Sequence, residues 1–210
     1  MKTSMLILFT FCSAALFAND KYKQAMQTNI QAIYKAQSTE EIQQAVNSFE
    51  RIGTAEKSKW EPFYYASFGY IMMSTREEDG AKRDALLDKA TEVLKKASVI
   101  QQNDSEITAL EGFIYMMRVT VDPATRGQQY SGLAMQTFGK ALGLNPENPR
   151  AMALMAQMEF GTAQFFKSPT TSACEKASNA IAMFDAPPSA DPLAPRWGKE
   201  TALRVVKQCQ

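Results

Sequence analysis

Histidine is absent from all 210 residues. That gap removes the commonest general base, the most frequent metal ligand and the side chain that titrates near neutral pH. Cysteine is nearly as scarce, with three copies, and a few scattered thiols without imidazole cannot build a zinc site. Neither sign of charge prevails: 23 basic against 22 acidic side chains set up no field to draw in nucleic acid or an anionic membrane surface. No serine lies in a Gly-x-Ser-x-Gly elbow, and no glycine-rich phosphate loop occurs, so a serine hydrolase and a nucleotide site both lack their anchor. The acidic clusters Glu40-Glu41 and Glu77-Glu78-Asp79 read as a helix start and a solvated loop. We therefore expect no catalytic residues, no metal and no cofactor: the chain is not an enzyme. What it does hold is apolar substance. At 45% hydrophobic, it can bury one proper core or one short repeat array.

The first eighteen residues stand apart. Lys2 leads, Met5 to Phe11 is apolar except for Thr10, and Ser13-Ala14-Ala15 opens a stretch of small residues. This is the pattern of a secretory signal peptide over 1–18, and the run is too short to span a bilayer, which takes about 20 residues. Cleavage after Ala18 leaves Asn19 as the new start; Leu16 fits the cut imperfectly, and Ala15 offers a second site. Acylation of Cys12 is the rival processing, but bulky Phe11 stands where a small residue is expected. No later segment is apolar enough to cross a membrane, so we expect an exported, periplasmic protein with no membrane insertion once the signal is gone. Its cysteines are then Cys174 and Cys209, in a compartment that permits disulfides.

Internal repetition is the strongest signal in the mature chain. In the segment Leu133 to Pro149, Ala134, Phe138 and Ala141 fall at i, i+4 and i+7, with Pro146 closing the helix. Asn148-Pro149 then supplies an N-cap and a first-turn proline for the next helix. Ala90, Leu94 and Ala97 repeat the stripe, as do Ala45, Phe49 and Ile52, and more weakly Ala173, Ala177 and Ala180. Matching first helices precede two of them, at Gly69-Tyr70-Ile71-Met72-Met73 and Gly112-Phe113-Ile114-Tyr115-Met116. Ser38 with Glu41, Pro62, and Asp104-Ser105 mark further helix starts. No alternating strand pattern of useful length occurs.

These stripes resemble the tetratricopeptide repeat (TPR) family over nearly all of Lys21 to Gln210. The resemblance implies an all-α fold: antiparallel helix pairs stacked as a short, right-handed TPR-like solenoid with a C-terminal capping helix. The repeats fall at about 21–56, 61–102, 105–146 and 149–185, followed by a proline-rich linker 186–195 and a cap 196–209. One departure is the period. Ala45, Ala90, Ala134 and Ala173 follow one another at 45, 44 and 39 residues, against about 34 in the family. The surplus fits between the two helices of a repeat, around Thr75–Arg83 and Val119–Gln128, as longer first helices or as projecting loops.

In this family the first helices line a concave face on which partners lie. Transferred to this chain, that face carries Phe63, Tyr70 and Met73, then Phe113, Met116 and Met117, then Arg150, Gln157 and Phe160. Exposed, they form an aromatic and methionine-rich surface for another protein or peptide; buried, they are core. The expected function is a non-catalytic periplasmic protein-binding scaffold or adaptor, with an accessory subunit of an outer-membrane or envelope assembly complex as the alternative. Antiparallel packing also places Cys174, near the start of one helix, beside Cys209, at the end of the next. They form a disulfide or remain two small buried thiols.

Overall fold

In a computed structural model of the chain, residues 6–209 are described, with side chains from Asp20 to Cys209. The expected signal segment, its cleavage site and Cys12 lie outside the residues whose side chains are described. Among the described residues there are nine helices and no strand: α1 (Leu6–Lys35), α2 (Thr39–Ala55), α3 (Glu61–Ser74), α4 (Gly80–Ile100), α5 (Ser105–Val121), α6 (Pro123–Leu144), α7 (Pro149–Phe166), α8 (Thr171–Asp185) and α9 (Lys199–Gln208). Successive helices pair and stack as an all-α solenoid.

Local chemistry sets the helix starts. Asp104 accepts from the Glu106 and Ile107 amides at 2.8 and 3.0 Å, and Asn148 accepts from the Arg150 and Ala151 amides at 3.0 Å each. Both satisfy donors that a helix start would otherwise leave orphaned. The Ser38 hydroxyl accepts from the Glu41 amide, while Glu41 reaches back to the Gln37 amide. The alanine stripes then let helices approach. Ala134, Phe138 and Ala141 are fully buried, as are Ala90, Ala97, Ala177 and Ala180.

Glycine completes the close contacts. A Cβ at Gly112 would lie 2.5 Å from the Phe138 ring, and one at Gly69 2.4 Å from Val46. Each first helix thus presses its backbone on a large side chain of the following or preceding second helix.

The surplus length belongs to the second helices, not to first helices or projecting loops. Asp79 caps α4 by accepting from the Lys82 amide at 2.8 Å. Asp122 caps α6 by accepting from the Thr125 amide at 3.2 Å, with Pro123 in the first turn. Each helix therefore starts about ten residues before its alanine stripe, two to three turns more than the stripe alone needs. The extensions are tied together by charge. Asp84 receives Arg126 at 2.7 Å, and Arg118 bridges Asp84 and Asp88 at 3.5 and 2.6 Å.

Cys174 and Cys209 are joined by a disulfide, with α-carbons 6.1 Å apart and a sequence separation of 35. The bond encloses α8, the proline-rich segment after it and α9 in one covalent loop. Ala202 and Val205 of α9 are buried against α7 and α8.

Two consequences are measurable by denaturant unfolding. Gly112→Ala forces a methyl into the immobile Phe138 ring, so overpacking outweighs the gain in helix propensity and stability falls by about 1–2 kcal/mol. Gly132→Ala, at an exposed α6 position with nothing within 4 Å of the added Cβ, is neutral or stabilises by up to about 1 kcal/mol. Replacing both Cys174 and Cys209 with serine removes a loop constraint worth about 3–4 kcal/mol, and the oxidised wild type loses the same amount on reduction.

Candidate functional site

The side chains expected to line an open groove are largely interior. Phe63, Tyr70, Met73, Met116, Met117, Arg150 and Phe160 are buried, and Phe113 and Gln157 are half-buried. Phe63 sits against Gly53 of α2. Tyr70 turns to the second helices, donating to Glu50 at 3.0 Å beneath the Lys89 ammonium. Burial and the Glu50 carboxylate push its phenol up to about 12. Met116 packs with Ala134, Phe138, Leu154 and Met158, while Phe160 packs with Ala173, Ala177 and Val205. The register is the physical reason. Neighbouring helices on both flanks cover these positions, so residues at those spacings are clamped between helices.

Of that set, Phe113 and Arg150 meet the chain's own C-terminal segment on the face where the first helices line up. Residues 186–192 run exposed, but residues 193–198 do not hang free. They form a strap across α1, α3, α5 and α7. Leu193 and Pro195 are buried. Tyr65 donates to the Leu193 carbonyl at 2.7 Å, and Arg150 Nη1 donates to the Pro195 carbonyl at 2.9 Å. The Arg196 amide donates to Tyr34 Oη at 3.2 Å, and Trp197 Nε1 donates to Tyr64 Oη at 3.1 Å. The Trp197 indole stacks on Phe68 and on Phe113, at 4.9 and 5.6 Å between ring centroids. Tyr34 sits edge-on to Tyr65 and Phe68. Sequence reasoning passed over Tyr34, Tyr64, Tyr65, Phe68 and the whole strap. The available signal was a buried-type pair, Leu193 and Trp197, inside a segment whose prolines forbid helix or strand.

Arg150 is the anchor of this arrangement. Its guanidinium forms two bonds to the Glu106 carboxylate, at 2.5 and 2.6 Å, in addition to the one to Pro195. Burial alone would lower its proton affinity, but the Glu106 carboxylate more than compensates and the group is held above its ordinary value. The same burial raises the phenols of Tyr34, Tyr64 and Tyr65, which therefore stay protonated and available as donors. Gly198, with φ +106°, turns the strap into α9 where a Cβ would meet Arg150 and Phe184 at 3.1 Å. Arg150 also lies over the Phe184 ring.

Elsewhere the surface offers less. A cleft of about 170 Å³ between α4 and α5 is lined by Leu94, Ile107, Ile114 and Tyr115, with Lys95 and Glu111 at its edge; it falls below the roughly 300–1,000 Å³ of an ordinary ligand pocket. Phe165 and Phe166, at the end of α7, are 80% and 70% exposed and pack only edge to face on each other. Among the described residues no group of three or more potential ligands could hold a metal ion, and no helix is long and apolar enough to cross a membrane.

Several solved structures resemble the chain, two of them instructive. One is the HusA haemophore from Porphyromonas gingivalis, 27% identical, with a TM-score of 0.80 over 90% of this chain and 92% of that one. The other is TTC0263, a thermophilic TPR protein of Thermus thermophilus, 15% identical, with a TM-score of 0.54 over 93% and 94%. The second supports a TPR-like fold and speaks to fold alone. No protein-family profile matches the chain, and no curated protein matches it.

The buried pair gives a direct test. Glu106→Leu strands the Arg150 charge in the interior and costs about 3–5 kcal/mol, whereas Glu106→Leu with Arg150→Leu costs less than the single change because no unpaired charge remains. Chemical denaturation of the three proteins measures both values.

Proposed function

We propose that the chain is an exported, periplasmic, non-catalytic carrier of a tetrapyrrole of the haem class. One observation carries this reading: end-to-end likeness to a haemophore at 27% identity and a TM-score of 0.80. Composition supports a particular mode of holding. With no histidine in the chain and the two C-terminal cysteines bonded to each other, the usual imidazole and thiolate ligands to haem iron are missing. Affinity then comes from aromatic and apolar contact with the macrocycle and from hydrogen bonds to its carboxylates, with methionine or tyrosine as the remaining source of an axial bond. Haem is cargo here, not a resident cofactor. The apolar leader and its small-residue end support export.

A protein-binding adaptor is the second reading, and the exposed Phe165–Phe166 pair favours it, since adjacent solvated phenylalanines mark contact surfaces. Such an edge also suits a carrier that delivers its cargo to another protein. The concave-face peptide site of the family does not suit this reading as it stands, because the strap lies on that face.

Absorption titration of the exported protein with hemin, and fluorescence titration with iron-free protoporphyrin IX, test the carrier reading. Saturable binding at one ligand per chain is expected, with the two affinities within about tenfold because iron ligation adds little. A folded protein that shows no saturable binding of either ligand at micromolar concentration would contradict it and leave the adaptor.

A further inference from the structure

We infer that Trp197 is a placeholder in the binding site: the strap keeps an aromatic slot between α3 and α5 filled, and a planar aromatic carboxylate enters by displacing it. This rests on the tetrapyrrole reading and specifies where and how the ligand is held.

The slot is defined by what already fills it. A flat, conjugated ring, the Trp197 indole, lies at 22° to Phe68 and 24° to Phe113, so two first helices offer their ring faces to one planar guest. Offset stacking of this kind is indifferent to the identity of the ring and favours an extended π-system over a small one. The polar rim is equally specific. Four groups of the helical body turn to the strap: Arg150 Nη1, Tyr65 Oη, Tyr64 Oη and Tyr34 Oη. Two of them, Arg150 and Tyr65, donate to strap carbonyls; Tyr64 and Tyr34 accept from strap N–H groups and carry hydroxyl protons of their own. When the strap lifts, all four lose the bonds they make to it. Burying them unpaired is costly, and a guest must restore the bonds. An acceptor-rich carboxylate does so, receiving from Arg150 and the three phenols. Because Glu106 already neutralises Arg150, the rim binds by hydrogen bonding more than by net charge. A macrocycle with a flat face and pendant carboxylates matches both parts of the slot.

The strap is built to leave as a unit. Pro187, Pro188, Pro192 and Pro195 keep it out of helix and sheet, so lifting it breaks no regular ladder. Its far end turns at Gly198. The Cys174–Cys209 bond holds α9 on α8 behind it, so the strap opens as a tethered loop rather than by fraying of the terminus.

The test reads the strap and the ligand separately, using protoporphyrin IX and the exported protein with its disulfide intact. In wild type, saturating protoporphyrin IX should speed exchange of the Arg196 amide, the strap N–H that donates to Tyr34, about tenfold or more, while the interior of α9 is unchanged; slowed or unaltered exchange at Arg196 overturns the inference. Trp197→Ala should tighten protoporphyrin IX binding about tenfold by removing the occluded state, and Phe113→Ala should weaken it; Trp197→Ala that binds no better than wild type overturns the inference. If the porphyrin binds but the strap stays closed, the placeholder idea fails and the carrier reading survives. If neither wild type nor Trp197→Ala binds it, the carrier reading itself fails and takes the inference with it.

Discussion

Arg150 carries a buried positive charge at the point where the repeat array meets its own C-terminus. The guanidinium must be paired to exist there at all, since an uncompensated buried charge costs several kcal/mol. Glu106 supplies the pairing from α5, one repeat away in the stack. The remaining nitrogen, Nη1, donates to the Pro195 carbonyl. One side chain thereby ties α7 to α5 and both to the strap, and Asn148, which caps α7, fixes the helix start from which Arg150 projects. Gly198 makes its left-handed turn beside them, where Arg150 and Phe184 occupy the space a Cβ would need.

The strap changes what the repeat architecture can do. In a TPR-like stack the layer of first helices leaves one face without a helical partner. Here that face is covered in cis by a short proline-rich segment whose aromatic and carbonyl groups satisfy it. A closed face is chemically informative, because the occupant shows what the face recognises: a flat ring between Phe68 and Phe113, and acceptors for Arg150 and Tyr65. Fold alone does not point to the carrier role we propose. The same helical stack occurs in TTC0263, at 15% identity, and likeness at that level speaks only to architecture.

Much of the fold was legible because it is written in local spacing. The stripe Ala134–Phe138–Ala141 and its relatives mark buried faces, and Asp104 and Asn148 mark helix starts by chemistry that needs no tertiary context. The disulfide was legible too, since antiparallel neighbours place Cys174 and Cys209 at one end of a helix pair. The lengthened second helices were missed although Asp79 and Asp122-Pro123 carried the cap signal; the charged and polar residues after them looked like loop because their ion pairs lie across helices, not along one. The site was less legible for a deeper reason. Which flank of α3 and α5 faces outward depends on how far neighbouring helices reach, so Tyr70 and Met73 could not be told from Tyr64 and Phe68 by period alone. The strap was hidden because its contacts with Tyr34, Tyr64 and Tyr65 span well over a hundred residues, and nothing in its own sequence repeats.

The dependence of the strap on Arg150 is the central claim, and native-state amide exchange in Arg150→Met, compared with wild type, tests it most directly. The account predicts that the Arg196 amide, which donates to Tyr34, loses protection by about tenfold or more while amides in the middle of α3 and α5 keep theirs, the mark of a local opening rather than a general loss of stability. An Arg196 amide that remains as protected as in wild type would show that Arg150 does not hold the segment down, and would contradict the account.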